Sequence, residues 1–191
     1  MASRDHGDPG DAPSTPPPLA NVANSVRPSA AEEARTIAAS TNTGTLATLT
    51  ADGDPWASFV TYGLLGGAPV LCVSNLAEHG RNLVADPRAS IAIVAPGSDP
   101  DPLASGRVTL AGVVERPEGD ERAAARDAHL GAVAAAKYYI DYSDFSLWVL
   151  RVERVAQRLT HERHGSHPGC RIGRAPELRE VEGLRLQGDV L

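Results

Sequence analysis

The chain has 191 residues, a formal charge of −6, 42% hydrophobic residues and only 4% aromatic ones. That length suits one domain with a real core, and the acidic balance speaks against general nucleic-acid binding, which needs a basic surface. Two cysteines without a C-x-x-C pair exclude a zinc knuckle or a dithiol redox motif, and no stretch nears the ~18 apolar residues of a membrane span or carries a signal pattern. The expectation is a soluble, cytoplasmic protein.

Residues 1–28 hold D-P-G-D-A-P-S-T-P-P-P and no apolar periodicity, so they are expected to be disordered. Residues 29–40 read as the first helix, because Ser29 followed by Glu32 matches a capping box. Thr45–Thr50 (T-L-A-T-L-T) and Trp56–Tyr62 read as a hairpin around the turn A-D-G-D-P. The turn L-L-G-G-A-P leads into a third strand, Val70–Val73, and a short polar, helix-compatible insert follows. Asp86-Pro87 stops that insert before a fourth strand, Ala89–Ala95.

Gly97–Gly106 is a Pro/Asp/Ser loop of the kind that hangs over a site. Arg107–Glu115 (R-V-T-L-A-G-V-V-E) is a long strand with Gly112 as a bulge candidate. Gly119–Ala136 reads as a helix and Phe145–Val155 as the last alternating strand. Six strands joined mostly by tight turns indicate an antiparallel α+β fold, and a six-stranded closed or split barrel is the natural way to use them. No G-x-G-x-x-G follows a strand, which argues against a dinucleotide fold.

After Val155 the composition turns Arg- and His-rich, without aromatics. Residues 156–191 read either as a disordered tail or as the product of a shifted reading frame, since GC-rich genes read out of frame give such text. His161, His164 and His167 invite a metal reading, but no acidic or Cys partner stands at matching distance, and no metal is assigned. Cys72, inside an apolar run, reads as a buried small hydrophobe. Trp56 and Trp148 read as core or dimer-interface residues. Asp101 sits in a turn and Asp144 precedes a strand, so no acid–base carboxylate pair is assigned.

Chemistry concentrates in the insert between the third and fourth strands, where Ser74, Asn75, His79, Arg81 and Asn82 fall near one strand end. A donor-rich turn between buried strands suits an anion such as a cofactor phosphate. Arg81 offers a charged fork and Asn82 an amide, while Ser58 and Thr61 lie on the neighbouring strand. On residue types alone, Arg81 serves equally as a solvated helix residue, Asn82 as a turn-former and His79 as a surface histidine.

The order of these pieces resembles the flavin-binding split barrels, the pyridoxamine-phosphate-oxidase-like superfamily. The resemblance is carried by T-L-A-T-L-T-A-D-G-D-P-W-A-S-F-V-T and by H-G-R-N-L-V-A-D-P-R-A-S. D-P-L-A-S-G-R-V-T-L-A-G, K-Y-Y-I and D-F-S-L-W-V-L-R-V-E-R-V narrow it to the haem-utilisation, HugZ/HutZ-like branch over residues 30–155. It implies a homodimer with cofactor sites across the two-fold and an FMN-binding oxidoreductase whose flavin supplies the hydride chemistry. Ser58, Thr61, Ser74, Asn75, His79, Arg81 and Asn82 then form the cofactor site. Haem binding or degradation, a deazaflavin, and a non-catalytic regulatory module are the alternatives. His79 stands where many flavin-binding relatives carry lysine, which moves the phosphate role onto Arg81. The glycine-rich continuation of relatives is replaced here by A-Q-R-L-T-H-E-R.

Overall fold

The computed structural model describes residues 28–97, 101–158 and 171–174. Helix α1 (Ala30–Ala39) starts from the expected capping box: Ser29 accepts the Glu32 amide while the Glu32 carboxylate accepts the Ser29 amide at 2.6 Å. Strands β1 (Thr43–Leu49), β2 (Pro55–Leu65) and β3 (Ala68–Ser74) follow as two successive hairpins. Gly66 and Gly67 make the second turn, both at positive φ (57° and 88°). That type I′ geometry matches the strand twist and strongly prefers glycine.

Helix α2 (Glu78–Ala85) is the polar insert, ending at Asp86-Pro87 before β4 (Arg88–Val94). β5 (Arg107–Glu115), α3 (Gly119–Ala132) and β6 (Phe145–Arg158) complete the barrel. The helix expected over 119–136 breaks at Val133, after which Ala134–Tyr138 winds as a tighter 3-10 turn.

Neighbouring strands run antiparallel in the order β3-β2-β1-β4-β5-β6, and β3 pairs again with β6 to close the ring. This is the six-stranded α+β split barrel expected from the sequence. Closure is possible because β6 is long and works on both edges. Val149–Arg158 pairs with β5, and Phe145–Val149 pairs with β3 on the opposite edge. Where β3 leaves that edge, a short strand β7 (Arg171–Arg174) takes its place beside Arg154–Gln157.

Strand structure was expected to end at Val155; instead β6 continues to Arg158 and β7 joins the sheet. Four residues, R-I-G-R, carry too little alternation to announce a strand, and only the free β6 edge makes one. The remainder of that segment, with His161, His164, His167 and Cys170, lies outside the described residues, as do residues 1–27.

Alternation sends Leu46, Val60, Tyr62, Leu71, Val73, Ile91, Ile93, Val108, Leu110, Trp148 and Leu150 into the barrel, all buried. Each large aliphatic side chain so buried contributes roughly 1.5–3 kcal/mol of transfer free energy. Tyr62 is sealed among them, so its hydroxyl needs a partner, and it donates to the Ala38 carbonyl at 2.6 Å, locking α1 to the barrel. A second cluster, Val70, Ala125 and Val149, packs α3 against the outside of β3 and β6. Near Gly112 the register shifts: Ala111 faces Arg154 but Gly112 faces Val152, leaving Glu153 as the extra residue on β6. A Cβ at Gly112 would lie 1.9 Å from the Arg151 carbonyl oxygen, so glycine permits the close approach. The irregularity is where Gly112 pointed, with the additional residue on the partner strand.

Candidate functional site

Side chains directly opposite in an antiparallel pair share a face. Ser58 faces the fully buried Leu46 and Trp56 faces the buried Thr48, so both lie on the inward side of β2. Towards this end of the strand the barrel mouth opens, and α2 packs across β1, β2 and β3. Its seating depends on Gly80, whose Cβ would fall 2.1 Å from the Ser74 carbonyl oxygen. With no side chain there, the helix backbone rests directly on the end of β3, and His79 and Asn82 are carried over the mouth.

His79 Nδ1 lies 3.2 Å from Ser58 Oγ, joining α2 to β2. Half-burial holds the imidazole below the usual histidine value of 6.5, so it is neutral near pH 7. Asn82 is buried and donates through Nδ2 to Thr48 Oγ1 at 3.0 Å, a second link between helix and barrel. Trp56, two residues before Ser58 on the same face, is 45% exposed. It was expected in the core or an interface; Trp148 does occupy the core, 6% exposed with Arg116 over its ring at 4.7 Å.

The remaining candidates are distributed around this centre. Ser74 donates to Asp144 Oδ2 at 2.8 Å and accepts the Leu76 amide, while the Asn75 amide donates to the Asp144 carbonyl at 2.6 Å. These contacts pin the start of the insert to the entry of β6. The Asn75 Oδ1 atom is buried with no partner among the described residues. Arg81, with a side chain 57% exposed, pairs with Glu78 on its own helix and donates to the Leu76 carbonyl just before that helix begins. Thr61 is half-buried opposite Thr43, on the other face of β2 from Ser58. Asp101 caps the Pro102–Ala104 turn through the Leu103 amide at 2.9 Å.

The structure therefore brings Ser58, His79 and Asn82 together, adds Thr48 and Trp56, which sequence reasoning did not assign, and sets Thr61 apart. Trp56 and Ser58 share strand parity, a signal present in the sequence. Thr48 is found only through the pairing register. Cys72 is buried, and burial pushes its thiol up to about 11. No group of three or more His, Cys, Asp or Glu side chains able to hold a metal ion occurs among the described residues.

A family model described as pyridoxamine 5'-phosphate oxidase matches residues 30–159. A structure described as a heme binding protein from Mycobacterium smegmatis is 73% identical with a TM-score of 0.74, covering 81% of this chain and 61% of that one. The chloroplastic heme oxygenase HOZ of Arabidopsis thaliana is 33% identical over 137 residues, which are 70% of this chain and 41% of that protein. The chain thus spans about three fifths and two fifths of these two relatives. HutZ, described as a heme storage protein from Vibrio cholerae, shares the fold at 23% identity and a TM-score of 0.50, covering 62% of this chain and 87% of that one.

Proposed function

The chain belongs to the pyridoxamine 5'-phosphate oxidase family, and from that premise we propose that it is a haem-binding protein of the haem-utilisation branch. The observation that carries this reading is the Ser58–His79 pair at the barrel mouth. A neutral imidazole bonded to Ser58, with a half-exposed tryptophan two residues before that serine on the same strand face, fits a flat apolar ring with a metal at its centre. The donor set fits a flavin phosphate less well. Arg81, the one cation in α2, already has Glu78 on its fork, and Asn82 is turned inward onto Thr48. FMN, the leading cofactor of the sequence reading, therefore stands behind haem, and deazaflavin with it.

Haem would supply redox and oxygen chemistry. The protein's share is to hold the ring at His79, to shelter one face against Trp56 and β2, and to keep the imidazole neutral by half-burial. Haem degradation is the second reading, favoured by the 33% identity with the plant oxygenase. We further infer a cytoplasmic homodimer. No helix among the described residues is long and apolar enough to cross a membrane. Phe59 (75% exposed), Ala57, Ala92 and Val94 lie exposed on the outer surface of β2 and β4, and an isologous partner would cover such a patch.

Titration of the full chain with haemin and, separately, with FMN tests the proposal. Saturable haemin binding with a Soret band, and at least tenfold weaker FMN binding, is the expected outcome. Tight FMN binding with no haemin complex would return the flavin reading. Loss of the haem spectrum on adding ascorbate under air would support degradation, and a stable spectrum would remove it.

A further inference from the structure

Resting on the haem reading, we propose that Arg116 binds a propionate carboxylate of the haem from the rim of the barrel opposite Trp56 and Ser58. The strand order β3-β2-β1-β4-β5-β6, closed by the pairing of β3 with β6, puts β5 across the barrel from β2. β5 ends at Glu115, opposite Val149. Arg116 therefore leaves the sheet at the mouth that α2 spans, where β3 also ends and β2 begins. For a ring held against the β2 face, β5 is the far side of the site.

Arg116 is prepared for an anion. Its guanidinium carbon lies 4.7 Å from the centre of the Trp148 ring. A guanidinium over an aromatic face is held by the ring without spending its N–H donors. Among the described residues none of those donors enters a hydrogen bond or ion pair, and the residue is exposed. Glu115, its neighbour in sequence, gives its carboxylate to Arg151 instead, at 2.8 Å. The ring beneath carries a second unspent donor, because Trp148 is 6% exposed and its Nε1 is buried with no partner among the described residues. Buried donors are nearly always paired, and a carboxylate at this rim is the acceptor that both groups lack.

Three other cations near this end of the barrel already hold a carboxylate. Arg81 has Glu78 on its fork, Arg88 has Asp86, and Arg151 is divided between Glu115 and Glu121. Arg107 begins β5 at the opposite end and donates to the Leu103 carbonyl. With a net charge of −6 the chain repels carboxylates unless a local cation meets them. No covalent bond is made or broken: the carboxylate oxygens accept parallel N–H bonds from the guanidinium fork.

The test compares haemin with its dimethyl ester, in which both propionates are neutral, by equilibrium titration of the full chain. Iron and ring are common to the two, so the ratio of their affinities reads the carboxylates alone. That ratio also cancels any general loss of folded protein in a variant. Wild type is expected to prefer haemin. Arg116→Gln should weaken haemin binding by about fivefold, the upper scale of an exposed ion pair, and leave binding of the ester unchanged. Arg116→Lys keeps the charge without the planar fork and should fall between the two. Raised salt should narrow the preference of wild type.

Equal weakening of haemin and ester in Arg116→Gln, or no change with either, would overturn the assignment while leaving the haem reading intact. So would a preference for haemin that persists undiminished in Arg116→Glu. Failure of wild type to bind haemin would overturn the haem reading itself, and the carboxylate assignment with it.

Discussion

Ser58 Oγ and His79 Nδ1 stand 3.2 Å apart across the gap between β2 and α2. Half-burial lowers the imidazole below 6.5. In a nuclear magnetic resonance titration of the apoprotein, the His79 ring signals should therefore change with a midpoint below pH 6.5. A midpoint at or above that value would mean the ring is neither sheltered nor held neutral.

The support for that pair is Gly80, because α2 lies directly on the Ser74 carbonyl. Gly80→Ala puts a methyl 2.1 Å from that oxygen and should destabilise the fold by about 1–3 kcal/mol in urea unfolding. Gly131 in α3 has nothing within 4 Å of a built Cβ. There the same change should stabilise by roughly 0.5–1 kcal/mol, through helix propensity alone. Equal effects at both sites would contradict the close seating of α2.

Asn82 and Thr48 are expected to act as a unit. Asn82→Ala leaves the buried Thr48 hydroxyl without its donor, at a cost of about 1–3 kcal/mol. Thr48→Val in the same chain removes the orphaned hydroxyl and should recover part of that loss. A double-mutant cycle in chemical denaturation measures the coupling, and additive effects would show that the bond contributes little.

Acid should weaken the fold through His129. Burial lowers its imidazole below 6.5, and Nε2 has no partner among the described residues. As pH falls through 6.5 the unfolded chain takes up a proton first, so it binds more protons than the folded chain. Stability is therefore complete above pH 6.5 and declines below it until the folded group also titrates. The groups around it on α3, Arg122, Arg126 and Asp127, are on the helix surface, and Arg126 is paired with Asp141. His129→Asn keeps a donor for the Val70 carbonyl and loses the titration. Thermal melts at pH 7.5 and 5.0 should differ less in this variant than in wild type.

The outer face of the barrel gives a separate prediction. Phe59 aligns with Thr45, and Thr45 with Ala92, on adjacent strands. Phe59→Glu replaces the large apolar side chain of that exposed row by a charge and should shift the chain from dimer to monomer in sedimentation equilibrium. A wild-type monomer would remove the dimer proposal.

Much of the architecture was legible because alternation is a local signal. Arg107–Glu115 begins and ends where its apolar period does, and the Ser29–Glu32 box marks the start of α1. What the sequence concealed depends on long-range pairing. β7 exists only because β6 outruns β3, and nothing in R-I-G-R announces that vacant edge. The same holds at the site. His79, Ser58 and Asn82 were visible as residue types, but Thr48 joins them through register. Arg81 looked like the strongest anion donor, yet Glu78, three residues earlier on the same helix, lies on its guanidinium. Thr61 is separated from Ser58 by strand parity, which three residues of spacing already implied.

Anomalous diffraction at the iron edge from crystals of the haemin complex tests the central claim most directly, since it locates the metal independently of any spectrum. The expected result is a single iron peak at the barrel mouth, with the porphyrin against the face that carries Trp56, Ser58 and His79. An iron peak bound elsewhere on the chain, with the Ser58–His79 pair untouched, would contradict it.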